Sequence, residues 1–212
     1  MRLVPAILTS SPQRLEEMLR QAGGFTDRVQ IDIMDGRFVP SLSITAQDLA
    51  RVKDRLWKEV HLMVQDPQEH LEPFLRAGAS RIVFHYEATP TPEEVIARGR
   101  ALGISLGLAL NPATPLEEVK PLLGLVDFLL LLSVDPGFYG SPFQPSVLEK
   151  AREVRAWLPA LELGMDGGLK ADNIGLVKKA GVDYACVGSA IFQSPDPEKS
   201  FGALRALAQE VT

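Results

Sequence analysis

The 212-residue sequence predicts an α/β protein, a (β/α)8 TIM barrel that forms one domain over residues 1–212. Three observations carry that expectation. Strand-like runs begin near Arg2, Arg28, Lys58, Arg81, Ile104, Val126, Leu161 and Asp183, and a helical pattern follows each one. Helix openings recur as Ser11-Pro12, Asp66-Pro67, Thr91-Pro92 and Thr114-Pro115, each pairing a capping side chain with a proline whose missing N–H costs nothing in a first turn. Helix closings recur as Ala77-Gly78-Ala79, Leu102-Gly103-Ile104 and Ala180-Gly181-Val182, where glycine can take the left-handed conformation that ends a helix. An open doubly wound sheet is the alternative; eightfold alternation without a linker or composition break favours the closed barrel.

The first strand runs from Arg2 to Leu8, and Ser11 then opens a helix that places Leu15, Met18, Leu19 and Ala22 on one face before Gly23 stops it. In the second strand, Val29, Ile31 and Ile33 share one face and Gln30, Asp32 and Met34 the other. The aliphatic face suits covering helices. A carboxylate, an amide and a thioether on the second face are expensive to bury unless a site uses them. Gly36 after Asp35 reads as a turn, which puts Asp32 near the strand's C-terminal end. The third strand repeats the layout, with His61 and Met63 sharing a face, and the seventh leaves Asp166 on its second face just before Gly167-Gly168. If these strands are parallel neighbours, Asp32, His61 and Asp166 converge at one end of the sheet.

In such barrels the active site lies at the C-terminal ends of the strands. That rule collects Asp32, His61, His85, Asp135 and Asp166 at one mouth, with three glycine-containing loops: Gly137-Phe138-Tyr139-Gly140, Gly167-Gly168 and Gly188-Ser189. Small residues after the late strands let backbone N–H groups approach an anion, so phosphate is expected there.

Composition narrows the partner. A 46% hydrophobic content supports a substantial core. A net charge of −5 without a basic run argues against nucleic acid or an anionic membrane and for a small molecule. The longest apolar run, Leu122 to Val134, is interrupted by Gly124 and Asp127 and is too short to span a bilayer. Lone Cys186 in an apolar run implies no disulfide framework and a reducing compartment. No signal peptide precedes the first strand, so a cytoplasmic location is expected.

From about Val4 to Phe192 the chain resembles the ribulose-phosphate 3-epimerase family. The motifs are Asp32-Ile33-Met34-Asp35-Gly36-Arg37-Phe38-Val39-Pro40, Val60-His61-Leu62-Met63, Phe84-His85-Tyr86-Glu87-Ala88, Leu110-Asn111-Pro112-Ala113-Thr114-Pro115, Ser133-Val134-Asp135-Pro136-Gly137-Phe138, Asp166-Gly167-Gly168 and Gly188-Ser189-Ala190-Ile191-Phe192. The resemblance implies interconversion of D-ribulose 5-phosphate and D-xylulose 5-phosphate, with Asp32 and Asp166 as the acid/base pair. It implies one divalent metal ion (Zn, Fe, Mn or Co) on Asp32, His61 and Asp166, and substrate contacts from Met34, Met63, His85 and the position of Ala6. It also implies phosphate binding at Gly137, Phe138, Tyr139, Gly140, Gly167, Gly168, Gly188 and Ser189, and a homo-oligomer, dimer or hexamer.

Five departures cluster at the mouth. Gln30 stands where the family usually has a histidine metal ligand, and its neutral amide oxygen would hold the ion more weakly. Ala6 replaces a serine, Leu132 a methionine, and Tyr139 and Ser141 alter the phosphate-side loop. The alternatives these departures raise are an epimerase for another ketose phosphate, of the allulose 6-phosphate type, or a catalytically impaired phosphosugar-binding paralogue.

Overall fold

The computed structural model describes residues 1–137 and 140–210. Eight parallel strands close on themselves in sequence order, and the eighth pairs with the first. In chain order the elements are β1 (Arg2–Ile7), α1 (Pro12–Ala22), β2 (Arg28–Met34), α2 (Ala46–Arg51), β3 (Trp57–Met63), α3 (Leu71–Arg76), β4 (Arg81–His85), α4 (Pro92–Ala101), β5 (Leu106–Leu110), α5 (Leu116–Val119), β6 (Phe128–Leu132), α6 (Val147–Trp157), β7 (Glu162–Asp166), α7 (Ile174–Lys179), β8 (Tyr184–Val187), α8 (Ser189–Phe192) and α9 (Pro197–Gln209). Every strand begins within two residues of its expected start. The later starts of β5 and β6 follow from Asp127, whose carboxylate accepts the Leu106 N–H at 2.8 Å and whose own N–H bonds to the Leu106 carbonyl at 2.9 Å, so pairing begins there.

The helices depart from simple alternation. β8 is followed by two helices, α8 and α9, and a 3-10 turn at Pro67–Glu69 precedes α3. Of the four proline openings, Ser11 caps as expected, accepting the Arg14 N–H at 3.3 Å. The other three side chains make no cap bond. Asp66 adopts φ +53 and its carboxylate faces Arg37 at 3.6 Å, while the Thr114 hydroxyl is drawn to the Glu87 carboxylate. The three glycine closings behave as expected, with φ of +94, +69 and +89 at Gly78, Gly103 and Gly181.

Strand parity sorts the side chains into two cores. Val29, Ile31, Ile33, Val60, Leu62, Leu163 and Met165 pack outward against the helical shell. Val4, Ala6, Val83, Ala109, Leu130 and Cys186 fill the barrel interior. At the N-terminal end two glycines make room for two rings: a Cβ at Gly164 would sit 2.2 Å from Tyr184 Cζ, and one at Gly107 2.3 Å from Phe128 Cε2. Arg81 lies 3.9 Å over the Phe128 ring and pairs with Glu59 at 2.6 Å and Glu162 at 2.8 Å. This plug of rings and ion pairs closes one end of the barrel and leaves polar chemistry to the other.

Candidate functional site

Asp32, His61 and Asp166 meet at the C-terminal mouth. The β2–β3 register places Asp32 directly beside His61, and Asp166 is the last residue of β7. His61 Nδ1 lies 3.1 Å from Asp32 Oδ1 and 3.4 Å from Asp166 Oδ2. One donor atom from each residue falls within 4.8 Å of the others, close enough for a single ion to be shared. His61 is fully buried and Asp32 is 8% exposed.

The three groups shift one another's proton affinity. Burial, and next the Asp166 charge, push the Asp32 carboxyl up to about 6 against the pull of His61. Burial opposes a charge on His61, yet its hydrogen bonds to Asp166 and Asp32 outweigh this and raise it to about 10. A proton on His61 Nδ1, between the two carboxylates, competes for the position that a divalent cation would take. Two oxygens and one nitrogen with a side open to the mouth fit a metal ion.

Below this layer lies Gln30, inward-facing and fully buried. Its Nε2 donates to Glu59 Oε1 at 2.8 Å, and its Oε1 has no hydrogen-bond partner among the described residues. Glu59 is held in turn by Arg81 Nε at 2.6 Å. The ion-paired Glu59 thus fixes which end of the Gln30 amide is engaged and which oxygen is left over. Sequence reading missed Glu59; its signal was the inward parity it shares with His61, two residues on.

The cavity at the mouth is lined by Asp32, His61 and Asp166 on one side and by Ala6, Leu8, Met34, Met63 and Leu132 around them. Met34 and Met63 are register partners that cluster with Val39. Gly137, Gly140, Ser141, Gly167, Gly168, Gly188 and Ser189 line the same cavity. Phe138 and Tyr139 lie outside the described residues. Gly167 and Gly168 have φ of +104 and +64, and a Cβ on either would press on Val134 at 2.5 Å or the Phe143 backbone at 2.9 Å. The Ser133 hydroxyl lies 2.9 Å from the Asp166 carbonyl and 2.6 Å from that of Gly167, pinning the turn that carries the second carboxylate. Asp35 holds the loop after β2: partial burial would raise its carboxyl, but N–H bonds from Arg37, Phe38 and Gln65 outweigh this and hold it low. Neither His85 nor Asp135 lines the cavity. His85 is fully buried behind His61, and Asp135 is exposed, accepting from Gln144 at 3.2 Å.

The ribulose-phosphate 3 epimerase family model matches residues 2–192. The ribulose-phosphate 3-epimerase of Mycobacterium tuberculosis (strain ATCC 25618 / H37Rv) is 38% identical over 213 residues, which span 97% of this chain and 92% of that protein. A ribulose-phosphate 3-epimerase of Oryza sativa subsp. japonica, named a cytoplasmic isoform, is 36% identical over 211 residues, 96% of this chain and 92% of that protein. A crystal structure of 3-hexulose-6-phosphate synthase from Salmonella typhimurium superposes with a TM-score of 0.75 at 16% identity, covering 98% of both chains, a likeness of fold. Among the described residues, no helix is long and apolar enough to cross a membrane.

Proposed function

Because the chain belongs to the ribulose-phosphate 3-epimerase family, and so to the isomerases that act on carbohydrates, we propose that it interconverts D-ribulose 5-phosphate and D-xylulose 5-phosphate by two-carboxylate proton transfer. The observation that carries this reading is the convergence of Asp32 and Asp166, from strands that are not neighbours, on one imidazole at an open mouth. Inverting a carbon beside a ketone needs a base on one face and an acid on the other. One carboxylate takes the proton while the other carboxylic acid delivers one opposite, and exchanged roles run the reverse reaction. Burial and the Asp166 charge hold the Asp32 carboxyl above the usual carboxylate range, against the pull of His61.

Asp32, His61 and Asp166 would hold the divalent ion, with Gln30 Oε1 as a weak further donor. Such an ion, zinc or another first-row metal, would withdraw charge from the enediolate oxygens. Met34 and Met63 would pack against the reacting carbons, presenting polarizable surface that donates no competing proton. The backbone N–H groups at Gly137, Gly140, Gly167, Gly168, Gly188 and Ser189 would receive the phosphate, supported by the positive φ of the Gly167-Gly168 pair.

Ser141 on the cavity wall, in the phosphate-side loop, favours a second reading, an epimerase for a related ketose phosphate of the allulose 6-phosphate type. A coupled assay with ribulose 5-phosphate and allulose 6-phosphate, each with and without added divalent metal, separates the two. Faster metal-supported turnover of ribulose 5-phosphate is the expected result. Turnover of neither substrate overturns the catalytic reading.

A further inference from the structure

His61 continues inward into a hydrogen-bonded chain that the proton chemistry does not use. Its Nε2 lies 3.0 Å from His85 Nε2. The ring centroids are 5.1 Å apart and the planes 23° from parallel, so with nitrogens this close the rings meet head-on, in the geometry of an N–H···N hydrogen bond. One nitrogen must donate and the other accept. His85 Nδ1 lies 3.2 Å from Glu87 Oε2, while Glu87 Oε1 accepts from the Asn111 N–H at 2.8 Å and from the Thr114 hydroxyl.

We infer that Glu87 is a positioning residue for the metal site, setting the direction of the whole chain so that His61 presents the Nδ1 lone pair to the ion. The carboxylate only accepts, so His85 donates through Nδ1 and accepts at Nε2. His61 must then donate through Nε2, which leaves Nδ1, the nitrogen facing Asp32 and Asp166, free to ligate. Burial would favour a neutral Glu87, but the bonds from His85, Thr114 and Asn111 outweigh it and hold the carboxyl below its usual range. This inference rests on the reading that the site binds a divalent ion.

The test compares binding of Co2+ and Zn2+ to chelator-stripped wild type, Glu87→Gln, His85→Gln and His85→Leu, and reads the His85 tautomer by 15N NMR in zinc-loaded protein. In Glu87→Gln the amide oxygen stays with the Asn111 N–H, a donor that cannot reverse, so the amide nitrogen faces His85 Nδ1. His85 is then driven to carry its proton on Nε2, against the His61 N–H. Ion binding should weaken ~10–100-fold, the usual cost of losing such a supporting bond. The His85 proton should move from Nδ1 to Nε2, while the unfolding temperature of the ion-free protein stays near wild type. His85→Gln can accept from His61 and donate to Glu87, and should retain most of the affinity that His85→Leu loses. Wild-type affinity in Glu87→Gln, a wild-type His85 proton on Nε2, or equal affinities of the two His85 variants would overturn the inference alone; the His85 pair decides it if Glu87→Gln does not fold. A wild type that binds neither ion would overturn the metal reading and this inference with it.

Discussion

Raising the pH should tighten ion binding by a set amount, because the ion must displace a proton. In the ion-free site His61 is held up to about 10, burial opposing the charge but the bonds to Asp166 and Asp32 prevailing. At neutral pH the ring therefore carries its extra proton on Nδ1, between the two carboxylates that complete the ligand set. Asp32, raised to about 6, is mostly ionised above pH 7 and contributes little to the exchange there. One proton should leave for each ion bound, so apparent affinity should rise about tenfold per pH unit, or about a hundredfold from pH 7 to 9. Below pH 6 a second proton, from Asp32, should steepen the slope. Calorimetric titration of zinc into stripped protein, in two buffers of different ionisation enthalpy, counts the protons directly. Flat affinity across pH 7 to 9 with no proton released would refute the reasoning, since it would mean that His61 is already neutral beside its carboxylates.

The same raised His61 stabilises the ion-free fold below about pH 6.5, and that contribution should be lost as pH rises through about 10; the unfolding temperature of chelated protein should fall over this window, and less so in His61→Gln. Gly164→Ala forces a methyl into the Tyr184 ring and should cost ~1–3 kcal/mol in denaturant unfolding, whereas an unchanged midpoint would mean that the barrel floor yields easily. Gln30→His replaces an amide oxygen with imidazole and should tighten zinc binding and raise activity at low metal; no response would place position 30 outside the ligand set. A bulky residue at Gly188 should weaken phosphosugar binding far more than binding of the unphosphorylated sugar, and equal losses would count against a phosphate role there.

Much of the barrel and its three-residue centre was legible because parity in a strand is a strict two-residue rule. Val29, Ile31 and Ile33 had to face one way and Asp32 the other, and parallel register then set Asp32 beside His61. What lay beyond that rule was harder to read. Gln30 had the right parity for a ligand, but only the register partner Glu59, fixed by Arg81 from the next strand, decides which end of its amide is engaged. His85 had the parity of a substrate contact, yet the loop after β4 turns Glu87 back onto it and buries it behind His61. Thr114 looked like a helix cap because it precedes proline, and a half-buried carboxylate distant in sequence claimed its hydroxyl instead. In each case a partner on another strand or loop outcompeted the local pattern.

The central claim is that Asp32 and Asp166 move protons on opposite faces of a ketose phosphate. Its most direct measurement follows ribulose 5-phosphate in deuterated water, with wild type, Asp32→Asn and Asp166→Asn, scoring deuterium at the reacting carbon and formation of xylulose 5-phosphate. Wild type should incorporate deuterium as it inverts, and each variant should lose epimerisation by ~10²–10⁴-fold, the usual worth of one positioned acid or base, with far smaller effects on binding. A variant that keeps near-normal turnover, or a wild type that inverts the carbon without taking up deuterium, would contradict the two-carboxylate account.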